Sequence, residues 1–372
     1  MWAVQCTGLE AGSAGPGSSL SVVRVADPGA PGPGEVVVRV RGASLNFADL
    51  LQLRGEYQER RTPPFTAGGE VSGVVERVGE GVAHVTAGDR VVALAPSGAL
   101  AERCVVPGAV CFALPPGVPR GGTLADAAGV LVAFGTAYVG LTDQGALRPG
   151  ETLLVTGAAG GVGLAACLLG ARLGARVVAV VRGDAKARAV RAALDAAQAA
   201  PGAQGHLVLD AEAGAWGKAM AAAKVRADVV FDPVGGDAFD TAFGRLAWGA
   251  RVVVVGFAAG KVQRPRANVL LVKNASVRGL YWGSYATHAP EQLRATTRAL
   301  LTDHFAGARP LRVPVGMRVP LSAWRDAAER GDVAAAAEAV RRGFTALASR
   351  EVVGKVIIEM GDEAGGPARA KL

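Results

Sequence analysis

Two patterns of apolar residues follow one another along this chain. Up to about residue 125, short runs rich in β-branched residues alternate with turns such as Asp27-Pro28-Gly29. Such runs predict strands, and Gly and Pro mark the turns between them. The predicted strands cover residues 22–25, 35–40, 70–78, 90–95 and 102–106. The first part of the chain is therefore expected to form an irregular β domain.

Apolar runs and helical patterns alternate after about residue 126. The runs predict strands at 153–155, 177–181, 206–209, 228–232, 251–255 and 276–280. This alternation is typical of a doubly wound parallel sheet. Further on, the pattern predicts helices at 290–304, 322–330 and 333–341 and a last strand at 354–359 that returns to the first domain. The predicted fold class is α/β, with segments 1–125, 126–284 and 285–372.

A glycine-rich turn joins the strand at 153–155 to the helical pattern that follows. Ala158, Gly160 and Gly163 occupy the places of G-x-G-x-x-G, with alanine replacing the first glycine, and Gly161 and Val162 lie between them. Glycines let the backbone turn tightly and let a pyrophosphate approach the N–H groups that begin the helix, where the helix dipole favours an anion. The turn therefore predicts a dinucleotide-binding Rossmann domain.

Two other interpretations of this stretch remain open. Residues 152–171 are uncharged and long enough for a transmembrane helix, although glycines interrupt them and charged residues flank them. An α/β fold that binds no nucleotide would use the same glycines only to pack the helix on the strand.

Composition narrows the class of protein. A chain of 372 residues, half of them hydrophobic, is expected to form two compact domains. The net charge is +8, but the basic residues are scattered as singles and pairs, so they indicate a solvated surface rather than a nucleic-acid site. Four cysteines without paired spacing, and no secretory signal before the first strand, indicate a reduced intracellular compartment.

Several segments resemble one enzyme superfamily. They are SLNFADLLQLRGEY (44–57), PFTAGGEVSGVVERVGEGV (64–82), GDRVVAL (88–94), GTAYVGL (135–141), VTGAAGGVGLAA (155–166), DPVGGDAF (232–239) and VVGFAAG (254–260). With them the chain resembles the medium-chain dehydrogenase/reductase superfamily, in its zinc-free quinone-oxidoreductase (zeta-crystallin-like) branch. The segment ANVLLVKNASVRGLYWGSY (267–285) is similar to the quinone oxidoreductase-like subgroup. The resemblance implies a GroES-like β domain beside the Rossmann domain.

Departures from the zinc-dependent relatives predict that this protein holds no metal. Where those enzymes place a cysteine and a histidine, this chain has Ser44 or its neighbours and Gly69. Catalytic zinc needs three protein ligands of thiolate, imidazole or carboxylate type. The closely spaced cysteines of the structural zinc are also missing. The four histidines, His84, His206, His288 and His304, are isolated in the sequence.

The cofactor preference is predicted at the end of the second Rossmann strand. NAD enzymes place Asp or Glu there to bind the ribose 2′-OH, whereas a 2′-phosphate is bound by cations. This chain has Arg182, followed by Lys186 and Arg188, which favours NADPH. Arg182 as an ordinary surface charge and Asp184 as a helix cap remain open.

The resemblance also implies the residues beside the nicotinamide. The family's L-N-F segment and the loop after it correspond to Asn46, Asp49 and Tyr57. Asn46 as a residue that only caps its loop is the alternative. Positions that bind or close over the cofactor in the family correspond to Thr136, Gly256, Phe257, Tyr281, Trp282 and Arg350.

The expected function is zinc-independent hydride transfer from NADPH to a quinone or an α,β-unsaturated carbonyl compound. The alternative is an NADPH-binding structural protein of the zeta-crystallin type. A homodimer is expected, because the strand at 276–280 would leave an apolar sheet edge, and neither nucleic acid nor membrane is an expected partner. The protein is expected in the cytoplasm, or in peroxisomes or glycosomes if Ala370-Lys371-Leu372 is read as a C-terminal address; chance is the alternative explanation of that tripeptide.

Overall fold

The computed structural model describes residues 1–10, 15–119, 122–197, 205–211 and 215–361, which divide into two compact units. Unit one comprises Met1–Leu131 and Pro290–Leu372, and unit two comprises Val132–Ala289. The sequence placed the corresponding boundaries after residues 125 and 284. The tripeptide Ala370-Lys371-Leu372 lies outside the described residues, so its reading as an address stays a prediction.

The chain forms strands and helices in the following order. The strands are β1 (Trp2–Cys6), β2 (Leu20–Arg24), β3 (Glu35–Leu45), β4 (Phe65–Thr66), β5 (Glu70–Val78), β6 (Arg90–Leu94), β7 (Arg103–Pro107), β8 (Cys111–Ala113), β9 (Thr152–Val155), β10 (Arg176–Val181), β11 (Leu207–Asp210), β12 (Ala227–Asp232), β13 (Leu246–Val254), β14 (Ser276–Gly279), β15 (Val315–Val319) and β16 (Lys355–Glu359). The helices are α1 (Phe47–Leu53), α2 (Leu131–Val139), α3 (Gly161–Arg172), α4 (Asp184–Ala196), α5 (Trp216–Ala222), α6 (Gly236–Phe243), α7 (Ala267–Lys273), α8 (Tyr285–His288), α9 (Pro290–Ala299), α10 (Leu321–Glu329) and α11 (Val333–Ala348). Short 3₁₀ turns lie at Gly108–Val110, Leu124–Gly129 and Trp282–Ser284, and π-helical turns at Gly140–Gln144 and Leu300–Phe305.

Unit one is built around the long strand β3. In the described part of the chain its main sheet has the order β15-β16-β3-β5-β6-β8, with β7 also paired to β3, and a smaller sheet has the order β2-β1-β4. Most of β3 is buried, as expected for a strand covered on both sides. The strand β16 runs antiparallel to β3, with Val356 opposite Leu45, so the end of the described chain completes the sheet.

Unit two contains the predicted doubly wound sheet. Among the described residues it has six parallel strands in the order β11-β10-β9-β12-β13-β14. The apolar side chains of β9, β10 and β12 are almost all buried, because helices cover both faces of such a sheet. The order along the sheet reverses between β9 and β12, the position at which ligands bind at the carboxyl ends of the strands. The predicted fold class is confirmed.

The apolar stretch 152–171 is not a single helix. It forms β9, the glycine-rich turn and most of α3, so the transmembrane interpretation of this stretch is wrong. A different stretch, Leu124–Gln144, is helical, 21 residues long and apolar enough to cross a membrane, and 83% of its most apolar window is buried inside the protein. Such burial is typical of a core helix.

Candidate functional site

The glycine-rich turn of unit two has the geometry of a pyrophosphate site. Gly160 is the N-cap of α3, so the N–H groups of the first helical residues have no partner within the helix. A Cβ at Gly163 would lie 2.3 Å from the carbonyl oxygen of Gly157, so only glycine lets the helix begin this close to the strand. These residues fit a dinucleotide.

Alanine at position 158 is explained by the backbone. The left-handed residue of the turn is Gly157, with φ +57°, and Ala158 is not in that region. The N–H of Ala158 donates to the carbonyl of Val180 at 3.0 Å, which ties the turn to β10. Since Gly157 makes the tight turn, the first position of the fingerprint does not require glycine.

A buried carboxylate that the sequence analysis did not single out lies below this turn. Asp232, the last residue of β12, is fully buried and accepts a hydrogen bond from the hydroxyl of Thr156, the residue after β9. The N–H groups of Val234 and Gly235 donate to the same carboxylate at 3.2 Å. The carboxyl ends of the two central strands are therefore joined directly. The segment DPVGGDAF was identified from the sequence. The structural role of Asp232 was not, because an aspartate that bonds only to neighbouring loops leaves no periodic signal in the sequence.

Arg182 directly follows β10 and is exposed. Gly183, with φ +82°, is the N-cap of α4, and its N–H donates to Asp210 Oδ1 at 3.0 Å. Asp184 is the first helical residue, so its interpretation as the cap is wrong. Lys186 lies in the first turn of α4. Arg182 therefore stands at the position from which a side chain meets the adenosine ribose in this fold.

The remaining predicted cofactor residues of unit two lie on separate elements. Thr136 is a buried residue of α2. Trp282 is buried against the same helix, where a Cβ at Gly135 would approach its indole nitrogen to 2.7 Å. Phe257 and Tyr281 are exposed. Their contacts with a cofactor stay predictions.

Gly256 and Arg350 lie in different units. Gly256 follows β13, and a Cβ there would lie 3.3 Å from the carbonyl oxygen of Pro233. Arg350 belongs to unit one, where it is exposed with a φ of +60°. Its predicted cofactor role also stays a prediction.

Unit one contains a buried cluster around Asn46, formed by Asn46, Asp49, Glu70 and Lys355. The ammonium of Lys355 donates to Asn46 Oδ1 at 2.6 Å and lies 3.7 Å from Glu70 Oε2. The amide nitrogen of Asn46 donates to Glu70 Oε2 at 3.1 Å and to the carbonyl of Ser44 at 3.2 Å. Each oxygen and hydrogen of this amide therefore has a partner.

Asn46 and Asp49 are brought together by the start of α1. Asn46 is the N-cap residue, and its backbone N–H donates to Asp49 Oδ2 at 2.7 Å. Tyr57, the third predicted catalytic residue, lies beyond the helix and is partly buried. Asn46 both caps α1 and holds buried contacts through its amide. This geometry is compatible with a positioning role and with a catalytic role.

Burial changes the protonation of the cluster. It raises the pKa of Asp49 to about 7, which hydrogen bonding to Asn46 and the charge of Lys355 only partly oppose. Burial also lowers the pKa of Lys355 from its ordinary value, against the opposing effect of Glu70. Two carboxyl groups and one ammonium in a nonpolar setting favour uptake of a proton near neutral pH.

The same cluster does not fit zinc. It offers two carboxylates, an amide and a buried ammonium, and so lacks the third thiolate, imidazole or carboxylate ligand that catalytic zinc needs. Lys355 already occupies the position of a cation, and a divalent ion beside it would be repelled. In the described part of the chain no three His, Cys, Asp or Glu side chains form a group that could hold a metal.

Glu70 and Lys355 were missed by the sequence analysis. Glu70 was visible as the glutamate of the GGE segment. Lys355 stands at the start of the last strand, and nothing in its local sequence indicates that it meets Asn46.

Comparisons with known proteins agree with the two units. The family described as alcohol dehydrogenase GroES-like domain matches residues 32–130, and the family described as zinc-binding dehydrogenase matches residues 161–301. The quinone oxidoreductase-like protein 2 homolog of Nematostella vectensis is 36% identical over 277 residues, covering 71% of this chain and 69% of that protein.

Solved structures extend the likeness to nearly the whole chain. A quinone oxidoreductase from Thermus thermophilus, studied with and without NADPH, is 29% identical with a TM-score of 0.72, covering 96% of this chain and 100% of that one. A mycobacterial protein solved with NADPH is 28% identical with a TM-score of 0.78, covering 96% of this chain and 99% of that one. The chain therefore belongs to the medium-chain dehydrogenase/reductase superfamily and, within it, to the quinone oxidoreductase-like proteins, whose dinucleotide-binding fold it shares.

Proposed function

We propose that the protein is a zinc-independent, NADPH-dependent reductase of quinones or α,β-unsaturated carbonyl compounds. The observation that carries the proposal is the buried Lys355–Asn46–Glu70 cluster, whose donor set does not fit a catalytic metal. Without a Lewis acid to polarise a carbonyl, the acceptor must already be activated by conjugation.

The preference for NADPH is supported by charge. Arg182 follows β10 at the position that distinguishes a 2′-hydroxyl from a 2′-phosphate, and a guanidinium pairs strongly with phosphate. The NADPH complexes of the Thermus thermophilus and mycobacterial relatives support the same assignment.

The reaction needs two electrons and a proton. Bound NADPH would supply the hydride, and the protein must position the acceptor, exclude water and provide the proton. The carboxyl of Asp49, with its pKa raised to about 7, can hold a proton near neutral pH and is the proposed source of the proton that the acceptor oxygen takes up after hydride transfer. Tyr57 and Asn46 are the proposed donors that stabilise negative charge on the acceptor oxygen, and Asn46 does so by exchanging its bond to the Ser44 carbonyl for one to the acceptor.

The test is NADPH oxidation with a panel of quinones and a panel of enals and enones, before and after exhaustive chelation. Turnover that survives chelation is expected. Loss of activity with EDTA that zinc restores would contradict the proposal. Tight NADPH binding without turnover on either panel would instead favour the cofactor-binding structural protein.

A further inference from the structure

A buried glutamine of unit two joins its own loop to the end of β12. Gln263, in the loop after β13, is 8% exposed, and its Nε2 donates to Asp232 Oδ2 at 2.6 Å and to the carbonyl of Gly256 at 3.0 Å. Both partners can only accept, which fixes the orientation of the amide. Its Oε1 is buried and has no hydrogen-bond partner in the part of the chain that the structure describes.

The carboxylate that Gln263 binds lies where the two central strands end. Asp232 also accepts from Thr156, directly after β9, and from the N–H groups of Val234 and Gly235. Because the strand order reverses between β9 and β12, this network forms the floor of the crevice in which a dinucleotide binds. Gln263 attaches the loop after β13 to that floor.

The loops involved are in close contact. A Cβ at Gly157 would lie 2.7 Å from Val234 Cγ2, so the turn after β12 packs directly on the glycine-rich turn. Gly235 has a φ of +76°, and a Cβ there would lie 2.4 Å from the carbonyl oxygen of Lys261. Interiors packed this closely transmit small displacements. A shift of the Gln263 loop therefore reaches the turn that holds the pyrophosphate.

Folding stability alone does not explain a glutamine at position 263. A buried acceptor without a partner costs free energy, and this cost offsets part of what the two donated bonds contribute. An unbranched apolar side chain of similar length would fill the same space without the unpaired oxygen. The donated bonds are better explained by the geometry that they impose on Asp232 and Gly256.

We propose that Gln263 is a positioning residue of the dinucleotide site. It holds Gly256 and the turn at 233–235 against the glycine-rich turn, so that the cofactor binds without rearrangement of these loops. The proposal rests on the dinucleotide binding of the proposed function and adds a residue to it. Since the glycine-rich turn meets the pyrophosphate that NADPH and NADH share, the contribution of Gln263 is the same for both cofactors.

The experiment compares Gln263→Met with Lys261→Met, an exposed neighbour in the same loop. Dissociation constants for NADPH and NADH are measured by fluorescence titration, and the melting temperature is measured without cofactor. Gln263→Met should weaken both cofactors by the same factor, about tenfold, because loops that are no longer held in place must be ordered when the cofactor binds. The melting temperature should stay within about 2 °C of the unmutated protein. The KM for NADPH should rise while kcat at saturating NADPH changes less than about twofold.

Unchanged dissociation constants in Gln263→Met would overturn the proposal and leave the proposed function intact. A large fall in melting temperature, with affinity lost only in proportion to unfolding, would show a structural residue and also overturn it. If Gln263→Met does not fold, Gln263→Asn decides, because it keeps a neutral amide but is one methylene too short to bond both Asp232 and Gly256, so it should also weaken both cofactors. Failure of the unmutated protein to bind either cofactor would overturn the proposed function together with this inference.

Discussion

The ammonium of Lys355 lies 2.6 Å from the amide oxygen of Asn46, although 309 positions separate the two residues in the chain. Lys355 also donates to the carbonyl of Leu45 at 3.2 Å, at the point where β3 ends and α1 begins. A single lysine therefore fixes both the backbone and the side chain of the segment predicted to face the acceptor.

Removing this ammonium should destabilise the protein strongly. Lys355→Met leaves the carboxylate of Glu70 buried without its cation, which typically costs about 3–5 kcal/mol. The measurement is the free energy of unfolding in urea. Lys218→Met is the control, because Lys218 is exposed on α5 and its loss should change stability by less than about 0.5 kcal/mol. Equal effects of the two substitutions would contradict the role of Lys355.

The carboxyl of Asp49 should make stability depend on pH. Its folded pKa of about 7 lies above its ordinary value, so between about pH 4 and pH 7 the folded state holds a proton that the unfolded state has lost. This contribution is complete below that range and is lost as the pH rises through it, with a slope of at most about 1.4 kcal/mol per pH unit. The lowered pKa of Lys355 acts with the opposite sign at more alkaline pH.

The measurement compares unfolding free energies of the unmutated protein and Asp49→Asn from pH 4.5 to pH 8. Asparagine can still accept the N–H of Asn46 but does not titrate. The stability advantage of the unmutated protein should shrink as the pH rises, and parallel curves would contradict the raised pKa.

Arg182→Asp should narrow or invert the preference for NADPH over NADH. The substitution removes a charge-assisted contact with the 2′-phosphate and adds repulsion, so NADPH affinity should fall about tenfold or more while NADH affinity is retained. Arg191→Asp, the same charge change at an exposed position of α4, is the control. Equal affinities of the unmutated protein for the two cofactors at low salt would refute the assignment.

Asn46→Ala should lower kcat more than it raises KM. A loss of about tenfold corresponds to one donor worth about 1.4 kcal/mol at the transition state. Tyr57→Phe should lose less, because water can replace a hydroxyl. The amide of Asn46 also binds Glu70 and Lys355, so the melting temperature is measured in parallel. An unchanged kcat with a clear fall in stability would restrict Asn46 to holding its loop.

A second copy of this chain is the proposed partner of the β14 edge. In the helix that precedes this strand, Leu271 and Val272 are 82% and 69% exposed, beside an edge strand that can pair across a two-fold axis. Leu271→Asp combined with Val272→Asp should give a monomer by light scattering. Val333→Asp, at an exposed position of unit one, should not change the mass. A monomeric unmutated protein at micromolar concentration would contradict the dimer.

The parts predicted well from the sequence are those with a local physical signal. The strands of the Rossmann sheet are short apolar runs because both faces are buried, and β5 was predicted at its observed bounds. The glycine-rich turn was identified because its backbone needs glycine at fixed positions. By contrast, β15 was missed, because Val315–Val319 contains a glycine and an arginine and is only partly buried.

The residues missed at the candidate site act over distance. Lys355 looks like an ordinary surface charge in the sequence, and only the pairing of β16 with β3 brings it to Asn46 and Glu70. Gln263 lies in a loop without periodicity, and its significance depends on the burial of Asp232. Hydrophobic periodicity does not indicate which polar groups pair when they are far apart in the chain.

The pairing of β16 with β3 has a consequence for how the protein emerges from the ribosome. Unit two is one continuous segment and can fold as soon as it has left the exit tunnel, whereas unit one lacks a strand until the last part of the chain is made. Until then β3 keeps an open edge, and Glu70 and Asp49 have no lysine beside them. Of the two units, the one that begins earlier in the chain is therefore completed later, and a nascent chain stalled before residue 355 would expose it to chaperones and proteases.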